Sequence, residues 1–149
     1  MVCHQFEIKK TTLESSLREN GFSEIPAIDL KDTVFVACGV DDEIRCFIEK
    51  YEWLGKMSLY PTHGFKLYWH DILMCAVVMD MPTAFSKNLG EDTKKLERLI
   101  SRGSSISFAP KNTASYTIAR AVDWMVKNTQ YRLFVGYSDP SAGELGTIY

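Results

Sequence analysis

The stretch Ile100–Tyr149, ISRGSSISFAPKNTASYTIARAVDWMVKNTQYRLFVGYSDPSAGELGTIY, decides the fold of this chain. Ser104–Ala109 (SSISFA) alternates polar and apolar residues in the manner of a strand and stops at Pro110. The loop Lys111-Asn112-Thr113 leads into a helix whose apolar positions Ala114, Ile118, Ala121, Val122 and Met125 form one stripe. Tyr131–Tyr137 (YRLFVGY) reads as a second buried strand, closed by Ser138-Asp139-Pro140, and Ser141–Tyr149 starts a last helix. Strand, helix and strand in succession predict two parallel strands joined by a right-handed crossover.

Working outward, the front of the chain predicts a different unit. Thr33–Cys38 is a short β-branched run closed by Gly39, which makes it a buried strand. Asp41 caps a helix with Ile44, Phe47, Ile48 and Tyr51 at helical spacing, ending near Leu54-Gly55. Gly64–Trp69 and Ile72–Met81 are strands separated only by His70-Asp71, so they form an antiparallel hairpin. Asp92–Leu99 reads as one or two helical turns, and the polar first thirty residues show weak helical character around Thr12–Asn20. The whole is an α/β chain, a mixed sheet with helices on both faces.

The composition sets limits on function. With 149 residues, 46% of them hydrophobic and 24% charged, the chain is one ordinary domain able to bury a core. A formal net charge of −2 gives no global basic field, so any nucleic-acid contact needs a local patch. The four cysteines form no CxxC pair, and Cys38 and Cys75 sit inside apolar runs, as reduced core residues of a cytosolic protein do. No signal-peptide core and no run of membrane-spanning length is found, which points to the cytoplasm. The absence of a Walker loop, a GxSxG elbow and a GxGxxG fingerprint argues against the classes those motifs define. His4, His63 and His70 have no metal-ligand spacing, so no metal site is assigned.

Three features carry candidate chemistry. The turn Pro110-Lys111-Asn112-Thr113-Ala114-Ser115 opens a helix directly after a strand, where free amides and the positive dipole end suit a pyrophosphate; an ordinary capped helix start has the same composition. Arg102, beside Gly103 and Ser101, can offer a forked donor pair to a phosphate or carboxylate, or be a solvated surface arginine. Asp139, at the C-terminal end of a parallel strand, and Tyr149, after Gly146, can accept and donate protons at a cleft; the plainer alternatives are a turn aspartate before Pro140 and a core tyrosine.

Taken together, Ser101-Arg102, Pro110-Lys111-Asn112 with Ser115, Tyr137-Ser138-Asp139-Pro140 and Gly146-Thr147-Ile148-Tyr149 resemble, in order and spacing, the Mom family of phage DNA-modification proteins. Phe47–Gly55 adds a similar short helix ending in aromatic-Leu-Gly, with Glu52 where the family usually shows a histidine. The resemblance implies a GNAT-like fold and an acetyl-CoA-type donor. It further implies double-stranded DNA as substrate, carbamoylmethylation of adenine N6 as product, and protection from restriction in the host cytoplasm. It marks Arg102, Ser115, Asp139 and Tyr149 as the residues of donor binding and chemistry. The family continues into an alanine-containing helix and a further strand pair, so residues 1–149 are expected to be a single domain truncated at its C-terminus. The competing expectations are a GNAT-type acetyltransferase acting on a protein or small amine, and a non-catalytic fragment.

Overall fold

The computed structural model describes residues 2–83, 95–146 and 148 of the chain. It is an α/β fold. Among the described residues the order is α1 (His4–Glu19), β1 (Thr33–Cys38), α2 (Asp42–Tyr51), β2 (Pro61–Trp69), β3 (Ile72–Asp80), β4 (Glu97–Ser105), α3 (Thr113–Asn128) and β5 (Leu133–Gly136). The five strands form one sheet in sequence order. β1–β2, β2–β3 and β3–β4 pair antiparallel, and β4–β5 is parallel with α3 as its crossover. No helix among the described residues is long and apolar enough to cross a membrane.

β3 holds the centre. Its side chains alternate between two cores, as the period of two in a strand requires. Met74, Ala76 and Val78 face Ile44, Phe47 and Ile48 of α2, whereas Cys75, Val77 and Met79 face Ala121 and Met125 of α3. Burial on both faces explains why ILMCAVVM reads as an unbroken apolar run. Met125 is fully buried, and removing such a side chain from water contributes about 1.5–3 kcal/mol.

The hairpin and α2 follow the sequence expectation closely. Asp41 accepts the Ile44 amide at 3.0 Å, and Ile44, Phe47, Ile48 and Tyr51 form the buried face. His70 turns the hairpin with φ of +52°. Gly64 of β2 is needed for space: a Cβ there would stand 2.7 Å from Ile44 Cδ1 and 3.2 Å from the Gly39 carbonyl oxygen.

Three expectations are corrected. β4 starts at Glu97, so Glu97–Leu99 is strand, not helix; pairing of Leu99 with Asp80 and Val135 outweighs the local helical pattern, and Asp92, Thr93 and Lys94 lie outside the described residues. β4 also ends at Ser105, because Ile106 and Phe108 drop into the α2-side core through a turn closed by the Ala109 amide on the Ile106 carbonyl at 3.0 Å. In place of a last helix from Ser141, Pro140–Ala142 is one 3₁₀ turn ended by Gly143 with φ of +77°.

α1 is longer than its pattern suggests. It is tethered by polar reach: Gln5 Nε2 donates to the Tyr51 carbonyl at 2.6 Å, Lys9 Nζ to Ser105 Oγ at 2.6 Å, and Ser16 Oγ meets Tyr51 Oη at 2.9 Å.

Candidate functional site

β4 and β5 stay paired from Glu97–Leu133 to Ile100–Gly136 and then part. Two local features part them. β5 runs out at Gly136 and the chain turns away toward Pro140, while β4 carries a bulge. Ile100 pairs with Met79 and Arg102 with Val78, so Ser101 is an extra residue in β4. The bulge upsets strict alternation, and both Ser101 and Arg102 engage acidic side chains of one cleft.

That cleft encloses about 1040 Å³ where the two strands diverge. β4 residues Ser101–Ser104 form one wall, and the segment after α2 from Glu52 to Tyr60 a second. Ala114 and Ile118 of α3 and Tyr137–Asp139 close the remaining sides, with Val77 and Asp80 of β3 beneath.

Among the described residues, two buried carboxylates face it. Asp80, 5% exposed, accepts from Ser58 Oγ and Ser101 Oγ, each at 2.6 Å, and from the Tyr60 amide at 3.3 Å. Glu52, 7% exposed, accepts the Gly103 amide on Oε2 at 2.9 Å and has Arg102 Nε 3.5 Å from Oε1. Burial pushes the Glu52 carboxyl up to about 7; the Gly103 hydrogen bond and the Arg102 charge oppose the rise, and the Glu144 charge adds to it. Glu52 stands at the C-cap of α2 with extended backbone (φ −93°, ψ 139°), so its side chain leaves the helix as the chain turns along the cleft.

A second layer ties the rim together. Trp53 Nε1 donates to Glu144 Oε1 at 2.9 Å, and Glu144 Oε2 accepts the Asp139 amide at 2.7 Å. Trp53 N donates to Gln5 Oε1 at 3.0 Å, which joins α1 to the same corner. Exposed apolar side chains crowd the mouth, among them Leu59, Tyr60, Met81 and Tyr137.

The expected site residues are placed as follows. Arg102 and Asp139 both line the cleft. Arg102 spends Nε on the Lys56 carbonyl at 3.0 Å and Nη1 on the Ser101 carbonyl at 2.7 Å, so much of its donor capacity holds the cleft wall. Asp139 Oδ1 caps the turn after β5, accepting from Ser141 N at 2.9 Å and Ser141 Oγ at 2.5 Å; these bonds hold its carboxyl below the ordinary aspartate range. Ser115 lies outside the cleft on an adjoining, shallower surface that shares Ile118 and Ile148 with it, its hydroxyl donating to the Asn112 carbonyl at 3.1 Å.

Of the turn Pro110–Ala114, only Ala114 reaches the cleft lining among the described residues. Asn112 is left-handed, with φ of +70°, and makes no side-chain cap; Thr113 Oγ1 donates to the Pro110 carbonyl at 2.6 Å, and Lys111 is exposed. Tyr149 lies outside the described residues. No group of three or more His, Cys, Asp or Glu is placed to hold a metal among the described residues.

Asp80 and Ser58 were not singled out by sequence, and Glu52 was noted only as the residue standing where the Mom family usually shows a histidine. The available signals were a charged residue ending the apolar run of β3 and a glutamate between two aromatics at a helix end. No family model and no curated protein matches the chain.

Proposed function

We propose that the chain is an acyl-CoA-dependent transferase of the Mom class, acting on the exocyclic N6 of adenine in double-stranded DNA. On this reading the product is the carbamoylmethyl adduct that the resemblance implies, and it shields the DNA from restriction. The observation that carries the reading is the parting of the parallel strands β4 and β5 beyond Ile100 and Gly136 around a cleft of about 1040 Å³. A strand that loses its neighbour has backbone groups to offer an extended, amide-bearing donor arm, although on β4 the Gly103 amide and the Ser101 carbonyl are taken by Glu52 and Arg102. The volume lies just above the roughly 300–1,000 Å³ usual for small-molecule clefts, enough for a donor arm beside an acceptor.

The start of α3 fits the phosphate end of such a donor. Asn112 supplies no side-chain cap, and a helix N-terminus favours an anion through its amides and dipole. Arg102 fits better as a holder of the cleft wall than as a free phosphate ligand, given its two carbonyl partners. Asp139 is among the residues that line the cleft, which supports including it in the site.

A second reading, transfer to a protein or small amine, is favoured by the formal net charge of −2 and by Glu52 and Asp80 in the cleft, which suit a cationic acceptor. Saturating acetyl-CoA at a hundredfold excess over its dissociation constant stabilises the protein by about 2.7 kcal/mol if the donor site is real. Mass spectrometry of nucleosides from expressing cells then separates the acceptors. An unmoved melting temperature sinks the acyl-CoA reading, and unmodified adenine sinks the DNA reading.

A further inference from the structure

We infer that Glu52 is the catalytic proton acceptor of the cleft, taking the proton from the acceptor nitrogen as that nitrogen attacks the donor; the inference rests on the acyl-transfer reading above. Four carboxylates line the cleft among the described residues: Glu52, Asp80, Asp139 and Glu144. Two of them are held through both oxygens, and a third is exposed and a weaker base. Asp80 is held through both oxygens by Ser58, Ser101 and the Tyr60 amide. Glu144 is held through both oxygens by Trp53 Nε1 and the Asp139 amide. Asp139 is exposed and caps its own turn through Oδ1, and the Ser141 hydroxyl and amide hold its carboxyl below the usual range, which makes it the weaker proton acceptor.

Glu52 differs in burial and in bonding. It is 7% exposed, and Oε2 takes one amide, that of Gly103. Its Oε1 faces Arg102 Nε at 3.5 Å, a nitrogen that gives its hydrogen to the Lys56 carbonyl at 3.0 Å. A carboxylate has about four acceptor positions, so Oε1 keeps capacity for an incoming N–H. The Gly103 amide meanwhile fixes the side chain against β4 at the cleft wall. Among the described residues, the charged groups that act on Glu52 are Arg102 from β4 and Glu144 from the segment after β5; Gln5 of α1, which holds the neighbouring Trp53 amide, is neutral. Together with burial they leave the carboxyl titrating at about 7, where its anion is basic enough to take a proton yet is populated at neutral pH.

The step is an acylation. The acceptor nitrogen bonds to the thioester carbonyl carbon, the C–S bond breaks with its electron pair leaving on the CoA sulfur, and the N–H proton passes to Glu52 and then to solvent. This step delivers an N-acetyl group; a carbamoylmethyl group is joined through its methylene carbon and does not form by it, so the inference covers the acetyl transfer alone.

The test compares wild type with Glu52→Gln, an isosteric change whose amide oxygen can still accept from Gly103. Acetyl-CoA and double-stranded DNA are the probes, with CoA thiol release read from pH 5.5 to 8.5 and acetyl-CoA binding read by thermal shift. The expected result is a wild-type kcat/KM that rises with pH through about 7. Glu52→Gln is expected to keep acetyl-CoA binding and lose roughly a hundredfold or more in turnover, with that pH limb gone. Near-normal turnover by Glu52→Gln overturns the inference alone. If Glu52→Gln does not fold, a flat wild-type profile across this range overturns it, and a limb at about 7 supports it. Absence of acetyl-CoA binding or of thiol release by wild type overturns the acyl-transfer reading on DNA, and the inference with it.

Discussion

Arg102 Nε lies 3.5 Å from Glu52 Oε1, yet it donates to the Lys56 carbonyl at 3.0 Å rather than to the carboxylate. The arginine therefore acts on Glu52 as a nearby charge more than as a bonding partner. Its guanidinium fastens the segment after α2 to β4 at the bulge, and the carboxylate is left incompletely paired in a desolvated place. Burial consequently prevails over the ion pair in setting the Glu52 titration.

Replacing Arg102 tests this division of labour. Arg102→Ala removes the bonds to the Lys56 and Ser101 carbonyls, a loss of about 1.5–3 kcal/mol in stability for charge-assisted bonds. Without the neighbouring charge the Glu52 carboxyl titrates higher still. Urea denaturation measures the first effect and the pH dependence of stability the second. A variant as stable as wild type, with weakened anion binding instead, would return Arg102 to the role of phosphate ligand.

The raised Glu52 carboxyl has a stability consequence of definite sign. The folded form binds its proton more tightly than the unfolded chain, whose glutamate titrates near 4.5. Stability from this group is thus present below that value and is lost as pH climbs to about 7. A rise of this size corresponds to about 3 kcal/mol as an upper bound. Glu52→Gln should flatten this part of the curve and be the more stable protein, relative to wild type, at pH 8 than at pH 5. Parallel stability–pH curves for the two proteins would refute the assignment.

Much of the fold was legible because it was written locally. Asp41 announces α2, the apolar stripe announces α3, and two residues between strand patterns leave room only for a hairpin. The start of β4 was not legible, since it depends on Asp80 and Val135, which lie far along the chain from Leu99. For the site, Arg102 and Asp139, which residue type and strand order had marked, line the cleft. Glu52 could not be read in this way, because what makes it unusual is burial against Gly103 and Arg102, fifty positions on, and no spacing rule encodes that.

Gly64 offers a check on the packing between α2 and the sheet. An added Cβ would meet Ile44 Cδ1 at 2.7 Å, which can yield, and the Gly39 carbonyl oxygen at 3.2 Å, which is backbone. Gly64→Ala should therefore cost about 1–3 kcal/mol through overpacking. Thermal or chemical denaturation reads this directly, and a neutral outcome would mean that the 39–44 connection has slack absent from its described geometry.

The final prediction sets Asp139 against Ser141. Asp139 Oδ1 receives both the amide and the hydroxyl of Ser141, and the next turn carries Glu144, which receives the Asp139 amide and the Trp53 indole. These bonds, the Ser141 hydroxyl first, hold the Asp139 carboxyl below its usual range, so it is ionised throughout neutral pH and is a weak proton acceptor. A turn-capping aspartate predicts that Asp139→Asn and Ser141→Ala loosen the same segment and shift Trp53 fluorescence in the same direction. Turnover then falls to a similar, modest extent in both. An acid–base aspartate predicts a loss of roughly a hundredfold in Asp139→Asn alone, with Ser141→Ala close to wild type. Geometry favours the first outcome, because the amide and hydroxyl of Ser141 fix Oδ1 within the turn and hold the carboxyl below its usual range, which weakens it as a base. Fluorescence and turnover measured side by side on the two variants distinguish the cases, and a selective collapse of turnover in Asp139→Asn would restore the catalytic role that the Mom resemblance implies.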